Sequence, residues 1–152
     1  MSHPLAYANQ SFYHASILLS GWRAELERGS VPQNQVNQAY ASPVQTKLLD
    51  VYGWLLLAAC RIRQLPDSLP RSVSELPPLP TGLVRPAEVE ACAHLEQSGW
   101  VAALKAPISD SPVVRRSDNL AVETEINVAQ FEDWAEHLAS LAETVADAID
   151  ES

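Results

Sequence analysis

Glu90 and His94 stand four residues apart, and so do Asp133 and His137. On helices each pair shares one face, so two such helices could turn two carboxylates and two imidazoles toward a divalent metal. The di-iron helical bundles set Glu and His three apart and add inward carboxylates from two further helices. Here the spacing differs, and the central apolar pattern of the chain offers only Asp50. The expectation is therefore no metal and no cofactor, with these four residues the nearest approach to a ligand set. Nucleophilic chemistry has less to stand on. No Ser sits in a Gly-x-Ser-x-Gly turn, and Cys92 and His94 are two apart, so their side chains diverge on a helix. The five glycines are scattered singly, which leaves no phosphate-binding loop. No catalytic residue is assigned and no enzyme is expected. Asn9, Gln10, Tyr13 and His14 could line a small-molecule pocket between helices, although such residues more often sit in a core with their polar tips satisfied.

The elements that would position these residues are helical. Residues 3–28 carry Leu5, Ala8, Phe12, Ala15, Leu19, Trp22 and Leu26 at three- and four-residue spacing, with Tyr13, Ile17 and Leu18 widening the stripe. Gly29 suits the stop. A second helical region spans residues 32–65, and Pro43 inside it should kink or split it. Within that region Val51 to Cys60 is a run of ten apolar or small residues, too short for a bilayer, which needs about 20 residues. A helix apolar nearly all round must be covered on most sides, so it reads as the central post of a bundle. Gly53 costs roughly 1 kcal/mol of helix propensity against Ala, which close approach of another segment would offset. Residues 66–86 hold six of the eleven prolines and read as an extended crossover. Within it, Pro77, Pro78, Leu79 and Pro80 read as a stiff spacer rather than a recognition motif. A helix then runs through residue 97, a short one covers residues 100–105, and residues 107–126 form a second connection containing Arg115 and Arg116. The last helix, residues 128–149, repeats Phe131, Trp134, Leu138, Leu141, Val145 and Ile149 at near-heptad spacing. The expected architecture is an all-α, four-helix-bundle-like single domain over residues 1–152.

Charge is divided sharply along the chain. The net charge is -9. Residues 1–122 hold ten acids and ten Lys or Arg, whereas residues 123–152 hold nine acids and neither Lys nor Arg. That acidic segment would repel a phosphate backbone, which argues against nucleic-acid binding. It reads as a solvated face or as a docking surface for a basic partner. The start of the chain lacks the basic and apolar regions of a secretory signal, and Cys60 and Cys92 fall inside helices as buried thiols. A cytoplasmic setting without membrane contact is expected.

Several stretches, YANQSFYHASILL, VYGWLLLAACRI before Leu65 and Pro66, SGWVAAL and FEDWAEHL, resemble a family of small uncharacterised bacterial helical proteins. The likeness is carried by Asn9, Tyr13, Tyr52, Gly53, Cys60, Trp100 and Trp134. It implies an all-α bundle and a bacterial setting, and it supplies no activity.

The functional expectation is a non-enzymatic bundle that binds another protein or itself as a homodimer. The back of the post carries Trp54 and Leu57, an apolar pair framed by Asp50 and Arg61. Apolar surface that one chain cannot cover is usually covered by a partner. Two-fold symmetry would bring Asp50 of one subunit toward Arg61 of the other. The alternative is a bundle holding a small molecule or metal between its helices.

Overall fold

A computed structural model describes residues 3–79, 81–108 and 126–150. Pro80, most of the second connection with Arg115 and Arg116, and the acids Glu123, Glu125 and Glu151 lie outside the described residues. The described residues form five α-helices and one short 3-10 turn, with no strand among them. Among the described residues no helix is long and apolar enough to cross a membrane.

Helix α1 spans Pro4–Arg28. His3 caps it, its Nδ1 accepting the Leu5 backbone N–H at 3.1 Å, and Pro4 fills the first turn, where no N–H is needed. Gly29 ends it in the left-handed conformation, φ 68°, donating its N–H to the Glu25 carbonyl. Helix α2 spans Gln33–Ala59 as one unbroken helix through Pro43. The expected split does not occur. Pro43 and Ala39 both face solvent, where water can serve the Ala39 carbonyl that loses its helical N–H.

Helix α2 also stops six residues before Leu65. The Ile62 N–H bonds back to the Leu57 carbonyl at 3.1 Å and the Arg61 N–H to the Ala58 carbonyl at 3.0 Å. That pairing is a Schellman closure with Arg61 held at φ 55°, a position usually given to Gly. The 3-10 turn Val73–Glu75 follows on the crossover. Helices α3, Ala87–Ser98, and α4, Trp100–Lys105, are separated by Gly99. Helix α5 spans Val128–Asp150.

Side-chain contacts fix how the helices run. Tyr7, near the start of α1, stacks on Trp54 near the end of α2, while Trp22 near the end of α1 stacks on Tyr40. These two helices are therefore antiparallel. Trp22 also meets Phe131 at the start of α5, and Arg61 donates to the Ala148 carbonyl at its end. Helix α5 thus runs parallel to α2 and antiparallel to α1. Tyr52 bonds Glu96 of α3, and the Gln45 amide donates to the Leu104 and Ala106 carbonyls, each at 2.9 Å. The broken pair α3–α4 accordingly descends the remaining side of α2.

Helix α2 is the post. Val44, Leu48, Val51, Tyr52, Leu55, Leu56, Leu57 and Ala58 are all buried. Burial of each large apolar side chain contributes about 1.5–3 kcal/mol. Trp22 sits where α1, α2 and α5 meet and is fully buried, with its indole N–H donated to Asn37 Oδ1 at 2.9 Å. That bond removes the cost of burying an unpaired donor.

Candidate functional site

The apolar pair read as a partner surface is spent inside the molecule. Leu57 is 0% exposed. Trp54 is half-buried beneath the Tyr7 ring, with centroids 4.6 Å apart. Asp50 pairs with Arg71 of the crossover at 2.9 Å, and the Arg61 guanidinium reaches Ala148 at 3.2 Å. Leu57 is buried and Asp50 and Trp54 are engaged within the chain, so of the four only Arg61 stands exposed, and the apolar pair that motivated a two-fold interface is not presented as a surface. The reason is that three segments distant in sequence cover the surplus face of α2: the start of α1, the crossover and the end of α5. The crossover lies so close that a Cβ on Gly53 would stand 2.6 Å from the Pro70 carbonyl oxygen.

The pocket residues fare no better. Asn9 and Tyr13 project outward from α1 and His14 is half-buried. None of them lines the cleft around Leu26–Gln33 or the cleft between α1 and α5. Tyr13 and Ile17 do not widen the buried stripe as expected, being 66% and 54% exposed. The metal candidates also stay apart in function. Glu90 faces Arg85 at 3.5 Å, Asp133 and His137 are 4.0 Å apart on the surface, and His137 lies flat on Trp100. His94 is exposed. Among the described residues no three His, Cys, Asp or Glu side chains are grouped to hold a metal.

A buried polar junction was not legible beforehand. The Tyr52 hydroxyl donates to Glu96, which also accepts the Val73 backbone N–H at 2.9 Å. Burial is the main cause that raises the Tyr52 hydroxyl pKa, with the Glu96 contact adding to it. Beside it, burial pushes the Cys92 thiol up to about 11. Burial also raises the half-buried Cys60 thiol. Both cysteines are unpaired. The junction fastens α2, α3 and the crossover together.

The surface that stands out is the outward face of α1. Ala6, Asn9, Gln10, Tyr13, Ser16, Ile17, Ser20 and Ala24 are all exposed, and no Asp, Glu, Lys or Arg occurs from Pro4 to Trp22. The opposite situation holds on α5, where Asp133, Glu136, Glu143, Asp147 and Asp150 face solvent. A cleft of about 370 Å³ lies between α1 and α5, with Ser16, Ser20, Arg23 and Glu132 on its walls. Arg23 forks onto Glu132 there, its Nε 3.2 Å from both carboxylate oxygens. On the crossover Leu83 and Val84 are exposed too, but on chain without regular structure. Rigid presentation favours the helix. Compared with known protein families, curated proteins and solved structures, the chain finds no match.

Proposed function

We propose that this chain is a non-enzymatic helical bundle that works by binding protein through the outward face of α1. One observation carries the reading: Tyr13 and Ile17, one turn apart, stand exposed on a helix face without an ionised side chain. Tyrosine is enriched at protein interfaces and charge is depleted at their centres. An ordinary solvated helix face carries charged and polar residues instead, as α5 does. Two unpaired thiols favour a reducing, cytoplasmic setting. Nucleic acid is not the partner, given the acidic balance. Kinship with the small bacterial helical proteins belongs to the same proposal and rests on the residues quoted for it.

The test is a photo-activated cross-linking residue at Ser20, in cells that make the protein. An adduct to protein, of the same chain or another, that vanishes with Tyr13→Asp supports the reading. Adducts indifferent to Tyr13→Asp contradict it.

A further inference from the structure

Resting on that reading, we infer that the protein bound is a second copy of this chain, its α1 packed antiparallel against the first about a two-fold axis beside the midpoint between Tyr13 and Ile17. The outward face is self-complementary about that midpoint. Tyr13 of one copy meets Ile17 of the other, and the reverse, so the two large side chains fill the centre. Gln10 and Ser20 stand equally far from the midpoint, and so do Ala6 and Ala24. The small alanines at both ends let the helix backbones approach. A surface that pairs with itself in this way is what an isologous interface requires.

Charge selects both the partner and the direction. The net charge of -9 lies in residues 123–152, so repulsion between copies is concentrated there, and the face of α1 from Ala6 to Ser20 adds nothing to it. A basic partner would find its match on α5 instead. The ionised residues of α1, Arg23, Glu25, Glu27 and Arg28, are confined to its last turns. A parallel pair would set each of them against its own copy. An antiparallel pair sets them beside the partner's uncharged first turns and opposes the two helix dipoles.

The area sets the strength. From Ala6 to Ala24 the face is about 27 Å long and roughly 10 Å wide. Two such faces bury less than the roughly 1,200 Å² typical of stable complexes. The dimer is therefore reversible and forms with rising concentration.

Sedimentation from micromolar to near-millimolar protein tests the association, with helix content followed by circular dichroism. The expected result is a monomer–dimer equilibrium whose dissociation constant rises about tenfold or more in Tyr13→Asp with helix content unchanged. Direction is tested by oxidising exposed-site variants and locating the links by peptide mass spectrometry. Ala6→Cys mixed with Ala24→Cys should link position 6 to position 24, and neither variant alone should link to itself through that position. Links of position 6 to position 6 would overturn the antiparallel arrangement. A wild-type chain that stays monomeric, while Ser20 still captures a different protein in a Tyr13-dependent way, would overturn the second copy and leave the α1 surface standing. A dimer unaffected by Tyr13→Asp would overturn both.

Discussion

The Tyr7 ring lies on the Trp54 indole at 4.6 Å with the planes 22° apart. This stack pins the first turn of α1 onto the last turns of α2, and it hides the residue that the sequence alone presents as the stickiest on the molecule. What remains in solvent is the other side of the same helix α1, where Tyr13 and Ile17 stand.

If Trp54 serves the fold, its loss is a stability effect. Trp54→Ala removes a half-buried ring stacked on Tyr7 and should lower the unfolding free energy by about 2–3 kcal/mol, below the range for a fully buried Trp. Chemical denaturation checks the size, and sedimentation of the same variant should match wild type. A change in association with stability intact would contradict the assignment.

Tyr52 makes a pH prediction. Burial, then the Glu96 contact, raises the hydroxyl pKa above its ordinary value of 10.0. The folded chain keeps a proton that the unfolded chain gives up, so this contribution is complete below about pH 10 and is lost as pH rises past it. Wild-type stability should decline on the alkaline side. Tyr52→Phe should lower stability at neutral pH by about 1–3 kcal/mol, because Glu96 loses a donor, and its alkaline decline should be shallower. Denaturant midpoints measured across that range decide it; parallel alkaline limbs for the two proteins would show that Tyr52 does not govern the decline.

Gly53 separates helix propensity from tertiary contact. In an isolated helix Gly53→Ala would gain about 1 kcal/mol. Here the added Cβ meets the Pro70 carbonyl oxygen at 2.6 Å, a backbone atom that a side-chain rotation cannot move aside. The crossover must shift, at a cost of about 1–3 kcal/mol, so the net change should be destabilising or nil. A thermal melt that rises by several degrees would mean the crossover does not sit on α2 as described.

Much of the fold could be read from the chain. The stripe through Ala8, Ala15, Leu19 and Trp22 is the buried side of α1, and Val128–Asp150, Ala87–Ser98 and Trp100–Lys105 closely match the expected helices. The end of α2 was not legible, because Ile62 and Leu65 continue an apolar pattern while Arg61, with no Gly to signal it, takes the left-handed turn. The covering of the Trp54–Leu57 face was not legible for a related reason. Periodicity shows that Leu57 and Tyr13 each lie on an apolar or mixed face. Only the return of distant segments decides which is covered. Tyr7, Pro70 and Ala148 do the covering on α2, and nothing in the local sequence around Trp54 points to them.

The most direct test of the account compares wild type, Tyr13→Asp and Trp54→Asp by sedimentation at one high concentration, beside a thermal melt of each. Tyr13→Asp should be monomeric and melt as wild type does, while Trp54→Asp should associate as wild type does and melt lower. The reverse pattern, with association lost in Trp54→Asp and kept in Tyr13→Asp, would contradict the claim that α1 carries the binding surface.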